Sequence, residues 1–204
     1  MAMSAAATAA VKRRDIVVLG ASAGGIQALL SLLSKLPADF EGALLVVVHR
    51  NPLYGGPLQQ VLGYRSLVPV VEPRGGEPVQ PRTVYIAPRD HHMTVGAGAI
   101  RLDRGAKQHH TRPAVDPLFA SAADEYGSRV VGVLLSGAGE DGVAGMIAIK
   151  RAGGVSLVQD PAEAMHASMP LSAILNDHVD GVLPVAEIAR TLAALVAGRT
   201  EVSV

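Results

Sequence analysis

The sequence predicts an α/β fold of the doubly wound type, with a mostly parallel sheet and helices on both faces. Two observations support this prediction. Short β-branched runs alternate with helical patterns along the 204-residue chain. These runs are almost wholly apolar, as expected of parallel strands buried on both faces. One region differs, because residues 72–113 are rich in proline and glycine, which predicts an antiparallel hairpin extension or an excursion over one edge.

Each element is predicted from a local pattern. Strands are predicted at residues 16–19, 43–48, 68–71, 84–87, 130–135, 155–158 and 181–183. After the first strand, Ile26, Leu29, Leu30 and Leu33 stand at helical spacing, which predicts a helix that ends before Pro37. Further helices are predicted at residues 115–126, 143–151, 164–175 and 185–196, and a hairpin at residues 93–102 around Gly96-Ala97-Gly98.

Composition narrows the class of protein. Apolar residues make up 49% of the chain, and 18 basic residues balance 18 acidic ones, so neither disorder nor a nucleic-acid surface is predicted. The absence of cysteine excludes disulfides, thiolate catalysis and cysteine-based zinc sites. We expect a flexible tail over residues 1–14 and one domain over residues 15–204. No signal peptide and no run of roughly 18–20 apolar residues is present, which predicts a cytoplasmic protein without membrane insertion.

The glycine-rich turn GASAGG, residues 20–25, allows several interpretations. A strand, a glycine-rich turn and a helix N-terminus form the phosphate site of dinucleotide-binding folds. Position 22 is serine, however, so the G-x-G-x-x-G spacing fails, and no tyrosine has the lysine four residues later that short-chain dehydrogenases require. The same turn reads G-x-S-x-G, which is typical of a nucleophilic serine. Ser22 as a simple helix cap remains an equal alternative on this motif alone.

A nucleophilic serine needs a base and a carboxylate. His49 directly follows an apolar strand, and Asp141 lies in the turn between another strand and a helix. If these strands are parallel, all three side chains meet at the carboxyl edge of the sheet. His49 as a surface histidine and Asp141 as a helix N-terminal carboxylate remain the alternatives. The adjacent histidine pairs at 91–92 and 109–110 lack metal-ligand spacing, so no metal and no cofactor is predicted.

Several separated segments resemble the catalytic domain of the bacterial chemotaxis protein-glutamate methylesterase family, CheB. They cover the chain from about Asp15 to Ala197 and read VVLGASAGG, VVVH, VYIAPRDHHM, RPAVDPLFASAA, LLSGAGEDGVAGM and VQDPAEAMHASMP. The resemblance implies a nucleophile at Ser22, a general base at His49 and an orienting carboxylate at Asp141. It also implies hydrolysis of glutamyl methyl esters, and in many members deamidation of glutamines, on the cytoplasmic helices of methylated chemoreceptors.

The sequence departs from the family pattern at several positions. Ala23 stands where the family usually has threonine, and Ser136 and Ala138 alter the T-G-M-G-x-D-G segment. Backbone N–H groups at Ala23 and Ala138 would still serve an oxyanion, and the resemblance gives His92 a supporting role. Too few residues precede the first strand for the receiver domain common in the family, so we expect a stand-alone catalytic domain. A non-catalytic receptor-binding module and, less favoured, an NAD(P)-binding domain are the alternatives, and no feature specifies an oligomeric state.

Overall fold

The computed structural model describes residues 13–50, 56–176 and 179–199. A seven-stranded sheet has the order β3-β4-β2-β1-β7-β8-β9, and every neighbouring pair in it is parallel. Its strands are β1 (Ile16–Ala21), β2 (Ala43–Val48), β3 (Val70–Val71), β4 (Thr83–Ile86), β7 (Val130–Leu134), β8 (Val155–Gln159) and β9 (Gly181–Leu183). An antiparallel pair, β5 (His92–Gly96) and β6 (Ala99–Asp103), forms a second sheet.

Helices cover both faces of the sheet, because strand side chains alternate between two apolar cores. The helices are α1 (Gly25–Leu33), α2 (Leu58–Gly63), α3 (Val115–Tyr126), α4 (Val143–Arg151), α5 (Ser168–Asn176) and α6 (Val185–Val196). Val17 and Leu19 of β1 lie in the core shared with α1, α2 and α6. Ile16 and Val18 lie in the core shared with α3, α4, α5 and the β5–β6 hairpin. The predicted doubly wound α/β class is therefore confirmed.

Most predicted elements are present, and the differences have local causes. The strand predicted at 68–71 is limited to Val70–Val71, because Ser66 Oγ bonds both backbone groups of Val68 and Pro69 has no N–H to donate. The helix predicted at 164–175 begins at Ser168. Its first predicted turn is replaced by a loop. There the Asp160 carboxylate accepts the N–H of Ala162, and the Asp160 backbone carbonyl accepts the N–H of Ala164. Helix α2 was not predicted.

The predicted hairpin is confirmed as an antiparallel pair, and it packs on a face of the main sheet. Met93, Val95 and Ile100 are buried in the core that contains α3. Glu125 on α3 accepts the N–H groups of Ala97 and Gly98 at the hairpin turn. The hairpin therefore covers a face beside α3 and does not extend the sheet at its edge.

Residues 1–12 of the predicted tail lie outside the described part of the chain. Arg13 pairs with Asp15 at 2.9 Å, and Arg14 donates to the carbonyl of Ser128 at 3.0 Å, so both arginines contact the fold. None of the described helices is both long enough and apolar enough to cross a membrane.

The order of strands fixes where a ligand site can form. Strand β1 lies between β2 and β7. Strands β2, β3 and β4, which follow β1 in the chain, lie on one side of it, and β7, β8 and β9 lie on the other side. In open α/β sheets, ligands bind beyond the carboxyl ends of strands at the point where the order reverses. Here that point lies beyond the carboxyl ends of β1 and its two neighbours.

Candidate active site

Strand register places Ser22 and His49 side by side. Ala21 at the end of β1 pairs with Val48 at the end of β2, so the next residue of each strand leaves the sheet at the same level. The N–H of Ser22 donates to the carbonyl of Ser136 at 3.0 Å, and the N–H of His49 donates to that of Ala21 at 2.9 Å. These bonds extend the parallel pairing past the strand ends and fix both residues at the carboxyl edge.

The turn after β1 bends two residues beyond the serine. Gly24 has φ 72°, whereas Ser22 is not among the described residues with positive φ, so the strained left-handed position belongs to glycine. A Cβ on Gly24 would approach Met165 Cβ to 2.7 Å and Ser136 Oγ to 2.9 Å. Helix α1 then starts at Gly25, whose N–H donates to the Ser22 carbonyl at 2.9 Å. The helix thus begins three residues after the partly buried serine.

The imidazole of His49 connects Ser22 with Asp141. Its Nδ1 lies 3.2 Å from Ser22 Oγ, and its Nε2 lies 2.6 Å from Asp141 Oδ2. A carboxylate only accepts hydrogen bonds, so the proton of the neutral ring lies on Nε2. The lone pair of Nδ1 therefore faces the serine hydroxyl. The His49 side chain is 12% exposed and Asp141 is 1% exposed, so the pair is shielded while the serine end is accessible.

Asp141 is buried, and it is held in the ionised form by hydrogen bonds. Burial would raise the pKa of its carboxyl, but hydrogen bonds from His49 and from the N–H groups of Val115 and Asp116 outweigh burial and lower that pKa below its ordinary value. The two backbone donors lie 2.7 and 2.9 Å from the carboxylate oxygens. They are the first N–H groups of α3, which also favour a negative charge through the helix dipole.

Asp116 and Asp141 cap each other's helices. Asp141, which precedes α4, accepts the first N–H groups of α3, and Asp116, in the first turn of α3, accepts the N–H groups of Gly142 and Gly145 at 3.0 and 2.8 Å. Helices α3 and α4 are thereby joined at their N-termini beside the triad of Ser22, His49 and Asp141. Asp141 therefore caps α3, not α4, the following helix for which the alternative interpretation was made, and it contacts His49 at the same time.

One titratable cluster adjoins the triad. His109, Asp116 and Asp141 have ligand atoms within 4.8 Å of one another. The carboxylate oxygens already accept backbone N–H groups or imidazole nitrogens, with His109 Nε2 at 2.9 Å from Asp116 Oδ2. Each of these carboxylate oxygens therefore already has a hydrogen-bond donor. The absence of a metal stays a prediction.

The three supporting residues lie at different distances from the triad. Ala23 and Ala138 are exposed beside the serine turn, and the Ala23 carbonyl accepts Ser136 Oγ at 2.9 Å. His92 is 3% exposed and makes no described contact with the triad. Its Nε2 donates to the Ala106 carbonyl at 3.0 Å, and its Nδ1 accepts the N–H of Ala114 at 3.3 Å. His92 therefore supports the residue before α3.

Sequence reasoning missed three residues at this site. Thr111 Oγ1 lies 3.4 Å from His49 Nε2, and Asp116 orders the loop that carries Asp141. Gly137 lies against the nucleophile turn, where a Cβ would approach Ser22 Cβ to 2.9 Å. An acidic residue in the first turn of a predicted helix is a sequence signal for the role of Asp116. The positions of Thr111 and Gly137 depend on chain segments far apart in sequence.

The arrangement is suited to nucleophilic attack on a carbonyl. An acceptor nitrogen faces a partly exposed hydroxyl, and a buried carboxylate stabilises the imidazolium that forms when the hydroxyl loses its proton. The N–H groups of Ala23 and Ala138 have no hydrogen-bond acceptor within the described residues. They border the serine and are available to a ligand.

Comparison with known proteins matches the sequence and the fold to one family. The family model described as CheB methylesterase matches residues 17–192. The Thermotoga maritima CheB methylesterase catalytic domain has a solved structure that matches with a TM-score of 0.84 and 36% identity, over 89% of this chain and 98% of that one.

Curated relatives carry names of the same kind. A protein-glutamate methylesterase/protein-glutamine glutaminase 2 from Anaeromyxobacter dehalogenans is 43% identical over 93% of this chain and 56% of its own length. A protein-glutamate methylesterase/protein-glutamine glutaminase from Pyrococcus horikoshii is 37% identical over 89% of this chain and 50% of its own length. The chain thus spans about half the length of these relatives.

Proposed function

This chain belongs to the CheB methylesterase family, and we propose that it hydrolyses methyl esters of glutamate side chains in proteins, with Ser22 as nucleophile. The observation that carries the proposal is the hydrogen-bonded series from Ser22 Oγ through the His49 ring to the buried Asp141 carboxylate. His49 serves as general base and Asp141 orients and stabilises its ring.

The steps of ester hydrolysis follow from the neutral His49 ring, which carries its proton on Nε2 and presents unprotonated Nδ1 to Ser22. Ser22 Oγ attacks the ester carbonyl carbon while His49 Nδ1 takes the hydroxyl proton. The carbonyl bond re-forms, the bond to the methoxy oxygen breaks, and Nδ1 returns the proton so that methanol leaves. Water, deprotonated by Nδ1, then attacks the acyl-enzyme carbonyl. The bond to Ser22 Oγ breaks, Nδ1 returns the proton to Oγ, and the glutamate carboxyl is released and ionises. General-base assistance of this kind typically contributes about 10²–10⁴-fold in rate.

The oxyanion of each tetrahedral intermediate is stabilised by the N–H groups of Ala23 and Ala138. Two facts support this assignment: neither N–H has an acceptor in the described part of the chain, and Gly137 brings the second loop against Ser22. Because the donors belong to the backbone, alanine supplies them as well as any other non-proline residue. His92 acts at a distance, since it holds Ala114 before the helix whose first N–H groups bind Asp141.

The names of the relatives favour a second reaction at the same serine. They describe protein-glutamine glutaminases as well as methylesterases. Attack on a glutamine amide gives the same acyl-enzyme with ammonia as leaving group, so no further residue is needed. We assign both reactions to the cytoplasmic helices of methylated chemoreceptors, the substrate that the motif resemblance implies, and therefore to the cytoplasm.

The test is methanol release from a methyl-esterified chemoreceptor fragment, with ammonia release measured in parallel. Ser22→Ala should lower the rate about 10⁴-fold or more, because removal of a triad nucleophile leaves only binding and oxyanion stabilisation. Ser34→Ala is the matched control, since Ser34 is exposed at the end of α1 and its hydroxyl bonds only the Ser31 carbonyl among the described residues. A Ser22→Ala variant that retains the wild-type rate contradicts the proposal.

A serine-directed phosphonate probe separates this enzyme from a non-catalytic binding module. The enzyme should be labelled at Ser22, and the Asp141→Asn variant should be labelled more slowly because its histidine is poorly oriented. A protein that binds receptors without catalysis remains unlabelled at Ser22.

A further inference from the structure

The Ser136 side chain is buried against the turn that carries the nucleophile, and the proposed reaction does not use it. Ser136 lies two residues after β7 and is 1% exposed, whereas Ser22 is partly exposed and Ala23 is exposed. Burying a hydroxyl is costly unless it is hydrogen-bonded, so the partners of this hydroxyl indicate which parts of the chain it holds in place.

The hydroxyl of Ser136 joins two segments of the chain. Its oxygen accepts the N–H of His166, in the loop before α5, at 3.0 Å. Its single hydrogen can be donated to the Ala23 carbonyl at 2.9 Å or to the His166 carbonyl at 3.4 Å, and the shorter contact is the stronger bond. The Ser136 side chain therefore connects the loop before α5 to the nucleophile turn.

The backbone of Ser136 is fixed independently of its side chain. Its carbonyl accepts the N–H of Ser22 at 3.0 Å, and its N–H donates to the buried Gln159 side chain at 2.8 Å. The next residue, Gly137, donates its N–H to the His166 carbonyl at 2.9 Å. Because these bonds use only the backbone of residues 136 and 137, a substitution of Ser136 can test the hydroxyl by itself.

Hydrogen bonds fix the peptide groups on both sides of Ala23. The peptide group between Ser22 and Ala23 contains the Ala23 N–H, and its carbonyl accepts the N–H of Gly25 at 2.9 Å. The peptide group between Ala23 and Gly24 contains the carbonyl that accepts the Ser136 hydroxyl. The two planar groups meet at the Cα of Ala23, so fixing both of them fixes the direction of the Ala23 N–H.

The direction of this N–H matters for the reaction, because an oxyanion donor is effective only when it points at the position where the charge develops. On the basis of the proposed esterase function, in which the Ala23 N–H binds the oxyanion, we propose that Ser136 is a positioning residue that aims this N–H. Without the hydroxyl, the peptide group after Ala23 loses a hydrogen bond, and the N–H is held from one side only.

Loss of the hydroxyl should affect the transition state more than substrate binding, because the oxyanion forms only during the reaction. Removal of one oxyanion donor costs roughly 10²–10³-fold in kcat. A donor that is present but less well aimed should cost less. We therefore expect Ser136→Ala in the full 204-residue chain to lower kcat for methanol release by about 10–100-fold, with KM near the wild-type value.

Ser156→Ala is the matched control. Ser156 is 0% exposed, and its hydroxyl bonds the carboxylate and the N–H of Asp180, each at 3.1 Å. It is the second residue of β8 and so lies away from the carboxyl edge of the sheet, where the triad is. Ser156→Ala should lower the midpoint of urea unfolding but keep the wild-type kcat. A general loss of stability therefore cannot account for a slow Ser136→Ala enzyme.

Two further substitutions test whether the hydroxyl itself is responsible. Ser136→Thr keeps the hydroxyl, and Ser136 lines a cavity of about 180 Å³ with room for one more methyl group, so kcat should return to near the wild-type value. Ser136→Cys replaces the hydroxyl with a weak donor of similar shape and should have an intermediate kcat. A wild-type kcat in Ser136→Ala, or equal values in Ser136→Thr and Ser136→Ala, would overturn the proposal.

Labelling with the phosphonate probe separates the positioning role from the proposed substrate. The probe forms a tetrahedral adduct at Ser22 whether or not the protein accepts glutamyl esters, and the same N–H stabilises its oxygen. Ser136→Ala should be labelled about tenfold more slowly than wild type, and Ser156→Ala at the wild-type rate. If this difference is found in a protein that releases no methanol, only the glutamyl ester substrate is rejected. Equal labelling of Ser136→Ala and wild type, including none in either, rejects the positioning role.

Discussion

The two glycine-rich turns of the site, residues 20–25 after β1 and 136–142 after β7, start from similar sequence and reach different environments. Both lead from a parallel strand into a helix whose N-cap glycine has positive φ, 72° at Gly24 and 100° at Gly142. The first turn leaves Ser22 partly exposed, with His49 Nδ1 as the described partner of its hydroxyl. The second turn buries Asp141 with three donors.

The two turns have similar sequences, but the elements that pack against each turn determine how exposed its polar side chain is. A nucleophile has to be reached by substrate, whereas the carboxylate that orients its base has to be fixed and ionised. Helix α3 accounts for the different environment of Asp141, because the helix N-terminus supplies two N–H donors to its carboxylate. The following changes test how firmly each turn holds its group, from the largest expected effect to the smallest.

Asp141→Asn tests the buried turn. An asparagine side chain has one acceptor oxygen and cannot accept hydrogen bonds from His49 and from both backbone N–H groups. The ring therefore loses the preference for a proton on Nε2, which leaves Nδ1 free to accept from Ser22. We expect kcat for ester hydrolysis to fall about 10³–10⁴-fold. Glu140→Gln, a neutralisation of the adjacent exposed carboxylate, should keep kcat near wild type. A loss of less than tenfold in Asp141→Asn would show that the turn does not orient the base.

Alanine at the N-cap glycines compares the backbones of the two turns. Gly142→Ala and Gly24→Ala should each lower the free energy of unfolding by about 1–3 kcal/mol, because alanine is strained at positive φ. Gly142→Ala should cost more, since its Cβ meets buried Leu134 at 2.6 Å, whereas that of Gly24 meets Met165, which is 68% exposed. Gly139→Ala, with φ 92° and open space, isolates the backbone contribution. Urea denaturation measures all three, and the reverse order would contradict this packing argument.

His92→Phe tests the support beneath α3. The change leaves the buried Ala114 N–H and the Ala106 carbonyl without their partner, which should lower the free energy of unfolding by about 1–3 kcal/mol. Because Ala114 precedes the N–H groups that bind Asp141, kcat should fall while KM stays near wild type. His91→Phe, which alters the neighbouring partly buried histidine, should leave kcat unchanged. A change confined to KM in His92→Phe would rule out the positioning role.

Acid stability gives the smallest effect. The pKa of the Asp141 carboxyl is lowered in the folded state despite burial, through hydrogen bonds from His49 and the α3 backbone. Its contribution to stability is therefore full above the unfolded pKa, about 3.9, and is lost as pH falls through the lower folded value. Wild type should lose more unfolding free energy than Asp141→Asn between about pH 5 and pH 2. Parallel curves for the two proteins would contradict this linkage.

Hydrophobic periodicity and local composition were enough to predict the bounds of several strands and helices. Strands Ala43–Val48 and Gly181–Leu183 and helices Val115–Tyr126, Val143–Arg151 and Val185–Val196 have the predicted bounds. In these segments the apolar pattern and its flanking breakers agree with the tertiary environment. The helix predicted at 164–175 lacks its first turn, because the His166 N–H donates to Ser136 Oγ and the His166 carbonyl accepts the N–H of Gly137, contacts that no local pattern contains.

The sequence by itself determined the doubly wound class, the family and the three residues that could share one site, since strand ends and glycine turns are local features. Tertiary structure decided what those residues can do. The pairing of Ala21 with Val48 aligned Ser22 with His49, and hydrogen bonds from His49 and from two α3 N–H groups 25 and 26 residues away in sequence lower the pKa of Asp141. Tertiary structure also brought Thr111 against His49, because a contact between residues 62 positions apart forms only in the packed fold.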